Sequence, residues 1–254
     1  MRSSQQFDRV LGVCFLLIGG ATWAGVAAAQ PSDPPTAKPI SQEERGDIFN
    51  ARKMFREAVE AYQQVKPPTP PVLNKIGIAY QQQNDLESAK KYYERAVKLS
   101  PKYAEAINNL GTVQYAFKSY RRATNYYKKA LAIQPRSASI YSNLGTAWFA
   151  RRNYKEATRC YEEALAIDPD VFERHGNRGV MLEERDVQER SKFDYYMARV
   201  YARKGMNDLA LQYIRKALEA GFKDKKKFLE EDDFTALRKL PEFEDVMKSE
   251  PRVL

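Results

Sequence analysis

Histidine and cysteine are scarce in this chain, and their scarcity excludes several kinds of functional site. The 254 residues contain one histidine, His175, and two cysteines, Cys14 and Cys160. A single histidine excludes a metal centre built on several histidines, and we interpret His175 as an exposed loop residue. No glycine-rich phosphate loop follows a strand pattern, and the carboxylates are dispersed along helical segments. The composition therefore predicts a protein that is not an enzyme and uses no cofactor and no small-molecule substrate.

Acidic residues are missing from one long internal stretch. Between Ala106 and Lys155 there is no Asp or Glu, although the same stretch holds nine lysines and arginines. Six of them form a candidate basic patch: Arg121, Arg122, Lys128, Lys129, Arg151 and Arg152. Such a patch favours anionic partners, and the alternative is a solvated outer face of a protein whose net charge is +9.

The amino terminus has the pattern of a secretory signal peptide. Arg2 and Arg9 precede an apolar run from Val10 to Ala29, which ends in three alanines. This pattern predicts a signal peptide over residues 1–29 and a mature chain that begins at Gln30 in the periplasm or outside the cell. The alternative is an uncleaved membrane anchor, because twenty apolar residues are long enough to span a bilayer. Cleavage leaves Cys160 as the only cysteine, so the mature protein has no intrachain disulfide.

A period of 34 residues organises the middle of the chain. The recurring residues are Ile76-Gly77, Leu110-Gly111 and Leu144-Gly145, then Ala89, Ala123 and Ala157, Tyr93, Tyr127 and Tyr161, Ala96, Ala130 and Ala164, and Pro101, Pro135 and Pro169. Such a period is typical of stacked supersecondary units. Its spacing resembles the tetratricopeptide repeat, a helix–turn–helix unit. The resemblance implies an all-α, right-handed α-solenoid. A weaker first copy contains Gly46, Phe49, Ala58 and Tyr62, and Pro70 is expected to close it.

The pattern divides the chain into six segments. After the signal peptide, residues 30–40 form a proline-rich linker and residues 41–170 form repeats 1–4. Within repeats 2–4 we expect helices over 71–83, 86–99, 105–117, 120–133, 139–151 and 154–167. Residues 171–190 are an irregular insertion or degenerate repeat, in which Asp186 and Glu189 have the spacing of a capping box. The final repeat covers 191–222. Apolar residues in 223–254, Leu229 among them, predict a short helical cap.

The resemblance also locates a candidate binding surface. In related proteins the first helix of each repeat lines a concave groove that holds an extended peptide or a partner helix. The residues of the predicted partner-binding set are Asn74, Asn108, Asn109, Thr112, Tyr115, Ser142, Asn143, Thr146 and Phe149. Asn109, Asn143 and Asn177 recur every 34 residues and resemble the asparagine ladder of the O-linked N-acetylglucosamine transferase repeats, whose amides hold a peptide backbone. Asparagine is also common at this point of the repeat, and Lys75 interrupts the series, so coincidence is the alternative.

Two functional hypotheses follow. The first is a non-catalytic scaffold of the bacterial cell envelope that binds a protein or peptide in the groove. A groove residue of this kind should contribute little to the packed interior. The second is an anchoring module whose basic outer helix face binds an anionic envelope polymer or a membrane surface. Export argues against nucleic acid as the partner.

Overall fold

The described part of the chain is a succession of helices. The structure is a computed structural model and describes residues 39–173 and 187–248; the predicted signal peptide, nearly all of the linker, His175, Asn177 and Asp186 lie outside these ranges. The α-helices in the described ranges are α1 (Gln42–Ala51), α2 (Phe55–Gln63), α3 (Pro70–Gln82), α4 (Leu86–Leu99), α5 (Ala104–Ala116), α6 (Tyr120–Ile133), α7 (Ala138–Ala150), α8 (Tyr154–Ile167), α9 (Val187–Arg203), α10 (Asn207–Glu219), α11 (Lys226–Glu230) and α12 (Pro241–Met247). Two 3₁₀ turns lie at Asp232–Phe234 and Leu237–Lys239. No helix in these ranges is both long enough and apolar enough to cross a membrane.

Each helix from α1 to α8 packs against the next one along the chain, and α9 packs against α10. The ten helices therefore form five pairs, which confirms the predicted all-α solenoid of helix–turn–helix repeats. The bounds of α3–α8 agree with the sequence prediction to within one residue. Pro70 is an exception, because it does not close the first repeat but begins α3 directly after the cap residue Thr69.

A glycine and a tyrosine set the distance between the two helices of each of the first four pairs. The tyrosine follows the glycine by 16 residues, as in Gly111 and Tyr127, and the Cδ1 and Cε1 atoms of its ring lie closest to the glycine. A Cβ atom placed on Gly111 would lie 2.6 Å from Tyr127 Cε1, and the corresponding distances in the other three pairs are 2.3, 2.4 and 2.5 Å. The four tyrosine rings are buried almost completely. Glycine is therefore required on the first helix for a steric reason.

The fifth pair solves the same packing problem with different residues. Ala198 on α9 and Ile214 on α10 are also 16 residues apart, and both are completely buried. Ile214 replaces the tyrosine and has no ring. Its smaller side chain leaves room for the methyl group that Ala198 has and glycine lacks. Helix α9 begins at Val187, four residues before the predicted start of the final repeat.

The carboxyl-terminal segment covers the apolar face of the last pair. Phe228, Phe234 and Leu237 are completely buried, and α12 packs against α10. The rings of Phe228 and Phe234 both meet that of Tyr195 on α9. Leu229, which the sequence placed among the covering residues, is instead 51 % exposed. Phe228, the preceding residue, fills the core instead, because α11 is a short helix that buries only one face.

We predict that Gly111→Ala destabilises the protein although alanine is the better helix former. Alanine in a helix interior gains about 0.5–1 kcal/mol over glycine, whereas overpacking against the Tyr127 ring costs about 1–3 kcal/mol. Thermal or urea unfolding measures the difference. The double variant G111A/Y127I copies the natural pair of the fifth repeat, so it should be more stable than the sum of the single changes predicts. Additive effects would contradict the proposed steric contact.

A pair of neighbouring residues tests the carboxyl-terminal cap. Phe228→Ala should cost about 3–5 kcal/mol because it leaves a cavity beneath a completely buried ring. Leu229→Ala is the matched control and should change stability by less than about 0.5 kcal/mol, since that side chain is mostly exposed. Equal melting temperatures for the two variants would show that the segment is not part of the core.

Candidate partner-binding face

Polar side chains join the first helices of successive repeats in a repeating pattern. Lys75 Nζ on α3 lies 2.8 Å from Glu43 Oε1 on α1. Asn109 Nδ2 on α5 donates to Asn74 Oδ1 on α3 at 2.9 Å, and Asn143 Nδ2 on α7 donates to Asn108 Oδ1 on α5 at 3.1 Å. In all three cases the donor lies two residues before the glycine of its own repeat, and the acceptor lies three residues before the glycine of the previous repeat. We call Glu43, Asn74, Lys75, Asn108, Asn109 and Asn143 the polar seam.

The first junction of the seam is ionic. Lys75 Nζ is also 2.8 Å from a carboxylate oxygen of Asp47, and Tyr62 Oη donates to Asp47 Oδ1 at 2.7 Å. Burial alone would lower the pKa of Lys75, but its hydrogen bonds to Asp47 and Glu43 outweigh burial and raise it. Burial alone would likewise raise the pKa of Asp47, but the hydrogen bonds from Lys75 and Tyr62 lower it. Lys75 therefore does not break the series: it joins α3 to α1 by an ion pair, where the asparagines join later first helices by amide hydrogen bonds.

The other two junctions are hydrogen bonds between side-chain amides. Asn108 Nδ2 donates to Asn109 Oδ1 at 3.3 Å, so the two junctions form one chain of four asparagines. Asn108, Asn109 and Asn143 remain partly accessible, whereas Asn74 is buried. A side-chain amide has two donor hydrogens and an oxygen with two lone pairs, so each accessible amide keeps capacity for a further bond. The seam thus orients polar groups that an extended peptide could use.

The structure removes most of the other predicted groove residues from solvent. Asn74, Thr112, Tyr115, Ser142, Thr146 and Phe149 are each less than 10 % exposed. Two of them, Thr112 and Thr146, are buried because they bond to the tyrosines that pack against the glycines. Thr112 Oγ1 and Tyr127 Oη are 3.2 Å apart, and Tyr161 Oη donates to Thr146 Oγ1 at 3.4 Å. The threonines satisfy buried hydroxyls inside a helix pair, so the accessible part of the predicted set is Asn108, Asn109 and Asn143. Their role in binding stays a prediction.

The seam ends at α7. Ser142 occupies the position at which Asn74 and Asn108 accept an amide hydrogen, and its buried Oγ has no hydrogen-bond partner among the residues described. On α9 the position of Asn143 is taken by Tyr196, whose ring stacks on that of Tyr154 with centroids 4.7 Å apart. An aromatic contact therefore replaces the polar junction between the fourth and fifth repeats.

The carboxyl-terminal segment occupies the corresponding face of α9. Tyr195 Oη donates to Glu231, and Arg199 Nε lies 2.7 Å from Asp233 Oδ2. Arg203 makes two contacts to the Asp233 carboxylate, at 2.7 and 3.0 Å. Burial would lower the pKa of Arg199, and its bonds to Asp233 raise it instead. In the part of the chain that the structure describes, the carboxyl-terminal residues thus cover this face on α9, and the candidate binding face lies on α1, α3, α5 and α7.

The predicted basic patch is divided in the structure. Arg121, Arg122 and Arg151 line one surface depression, whereas Arg152 lines another together with Phe149 and Tyr154. Lys128 and Arg151 lie on the ring of Trp148, with distances of 5.0 and 4.3 Å to its centroid, and Lys129 lies 5.7 Å from that of Tyr126.

The remaining candidate for chemistry is Cys160, the cysteine within the described residues. Cys160 is 1 % exposed and free, and burial raises the pKa of its thiol to about 12. A thiol of this kind is unreactive at neutral pH. Within residues 39–173 and 187–248, no three His, Cys, Asp or Glu side chains are close enough together to hold a metal ion.

Comparison with protein-family models identifies the family. Models of the tetratricopeptide repeat match residues 41–102, 74–135 and 138–171. The chain belongs to the tetratricopeptide repeat family, whose stacked units form extended binding surfaces for other proteins. No curated protein matches the sequence significantly.

Several solved structures have a similar fold. One crystal structure of MamA is 24 % identical and covers 71 % of this chain and 96 % of its own, with a TM-score of 0.48. MamA from Desulfovibrio magneticus RS-1, residues 41 to the end, is 19 % identical over 70 % and 92 % of the two chains, with a TM-score of 0.49. YrrB, described as a tetratricopeptide repeat protein with an unusual peptide-binding site, is 19 % identical over 51 % and 68 %, with a TM-score of 0.45. These likenesses concern the helical repeat fold alone.

The seam makes its asparagines structural, contrary to the expectation that a groove residue contributes little to the interior. We predict that Asn109→Ala costs about 1–3 kcal/mol of unfolding free energy, because it leaves the buried Asn74 oxygen without its donor. Glu105→Ala, an exposed change on the same helix, is the control and should be neutral. The double variant N74A/N109A should cost less than the sum of its single changes, and additivity in urea unfolding would contradict the seam.

Proposed function

We propose that this protein is a non-catalytic scaffold of the cell envelope that binds an extended segment of a partner protein along α1, α3, α5 and α7. Membership of the tetratricopeptide repeat family supports a role in protein interaction. The observation that carries the proposal is the polar seam, because it presents oriented and partly exposed amides on successive helices.

The spacing of these amides suits a backbone partner. Asn143 donates one amide hydrogen to Asn108. Its oxygen can accept from a peptide N–H, and its second amide hydrogen can be donated to a peptide C=O. Asn109 on α5 and Asn143 on α7 occupy equivalent positions of adjacent repeats, so an extended segment can bond to both in turn. Main-chain recognition of this kind accepts varied sequences, as a scaffold requires.

Export is supported by the amino-terminal sequence. Arg2, Arg9, the apolar run to Ala29 and the three alanines before Gln30 match a cleaved signal peptide. The envelope is therefore the compartment in which the partner should be sought.

Site-specific crosslinking in intact envelopes tests the proposal. A photo-reactive residue at Ser139, which is exposed on α7 beside the seam, should capture a protein partner. The matched control carries the same residue at Lys91, which is exposed on the second helix α4, and should not capture that partner. Amino-terminal sequencing of the purified protein should return Gln30.

Equal capture from both positions would overturn the proposal, because the first-helix face would then have no special role. A protein that retains Met1 would contradict cleavage of the leader and favour the membrane anchor instead.

A further inference from the structure

A surface depression of about 720 Å³ lies at the edge of the third repeat, away from the polar seam. It is lined by the turn between α5 and α6, by the first turns of α6, and by the residue that ends α7. The lining residues are Lys118, Ser119, Tyr120, Arg121, Arg122, Asn125 and Arg151. Four of these seven are cations and none is acidic.

The four cations of this depression are exposed, and none has a carboxylate partner in the part of the chain that the structure describes. In the part of the chain that the structure describes, Lys75, Arg199 and Arg203 form ion pairs with carboxylates, but none of the nine cations between residues 106 and 155 does so. Clustered charges of one sign repel each other and reduce stability. An anionic ligand from outside the chain would relieve this repulsion.

One guanidinium is held in place before any ligand arrives. Arg151 lies on the face of Trp148, 4.3 Å from the ring centroid, and its Nη1 donates to Thr124 Oγ1 at 3.3 Å. Thr124 is 1 % exposed, and its hydroxyl donates to the Arg121 carbonyl at 2.9 Å. This chain of contacts links Arg151 to the first turn of α6. A fixed arginine loses less side-chain entropy on binding than a free one.

The same molecule shows which anionic group suits an arginine and tyrosine surface of this fold. On α9 the side chains of Tyr195, Arg199 and Arg203 hold Glu231 and Asp233, two carboxylates of one short acidic turn. The depression offers the same side-chain types, with Tyr120 beside Arg121 and Arg122. Arginine pairs with a carboxylate through two parallel hydrogen bonds, as Arg203 does with Asp233.

We propose that this depression binds a short acidic segment of a partner protein through Arg121, Arg122 and Arg151. The carboxylates held by the similar side chains of α9 belong to a peptide segment, which favours a peptide turn over a bilayer as the occupant. The site is separate from the first-helix face, and the scaffold would then hold its partners at two places with different chemistry. The proposal does not depend on the polar seam.

The test uses a labelled peptide that carries four consecutive glutamates and the protein purified from cells that express the full chain. Fluorescence anisotropy should show binding that weakens as salt is raised. The matched peptide with four glutamines should not bind. The emission of Trp148 should change on binding, because Arg151 lies against its ring.

The variant R121E/R122E should weaken binding about tenfold or more. Its control is R56E/K91E, which makes the same change in net charge at exposed positions of two other second helices and should bind within about twofold of the parent. Circular dichroism checks that both variants fold. If R121E/R122E does not, R121Q/R122Q replaces it with the same expectation.

Three results would overturn the proposal. The first is a parent protein that does not bind the glutamate peptide. The second is equal weakening by the two charge reversals, which would reflect net charge alone. The third is binding to phosphatidylglycerol vesicles that depends on Arg121 and Arg122 while the glutamate peptide binds without them, since the anion would then be lipid. Crosslinking from Ser139 is unaffected by any of these outcomes, so the two proposals fail separately.

Discussion

The close approach of a tyrosine ring to a glycine backbone fixes the geometry of every repeat from the first to the fourth. Because the ring touches the first helix itself, the two helices of a pair have one separation and one register. The ring also brings a hydroxyl into a buried place, and a buried hydroxyl needs a partner. Thr112 and Thr146 supply it in two repeats and Asp47 in the first. In the second repeat Ile78 stands where those polar residues stand, so Tyr93 bonds to Gln81 at 2.9 Å, one turn further on.

This constraint decides which side chains of the first helix can meet a partner. Residues on the side of the helix that faces the tyrosine contact the second helix of the same repeat. Residues on the adjacent side contact the first helix of the neighbouring repeat. Of the predicted partner-binding set, only Asn108, Asn109 and Asn143 remain partly accessible to solvent. The binding face is therefore not a free row of polar groups. It is the exposed edge of a network that also holds the repeats together, so recognition and stability share the same amides.

The repeat architecture could be predicted from the sequence because its causes are local and periodic. Glycine, alanine and tyrosine recur every 34 residues, and proline and cap residues mark where helices begin and end. The binding residues could not be separated in this way, since a column of side chains on one helix face does not show which neighbour each one touches. One signal was present: a tyrosine is used where a purely apolar ring would fill the space, and its hydroxyl requires a polar residue nearby. That rule assigns Thr112 and Thr146 to the interior.

The fifth repeat shows what happens when the periodic rule is relaxed. Ala198 and Ile214 are packed without a buried hydroxyl, so α9 needs no polar partner at the position of Thr112 and Thr146. Arg199 stands at that position and pairs with Asp233 instead. The acidic turn of the carboxyl-terminal segment then neutralises Arg199 and Arg203 and closes the face at its end. The third repeat has its arginines on the edge of the second helix, where no segment of the described chain reaches them. Arg199 and Arg203, at one end of the solenoid, are thus paired with carboxylates of the chain itself. Arg121, Arg122 and Arg151, in its middle, have no such carboxylates in the described chain.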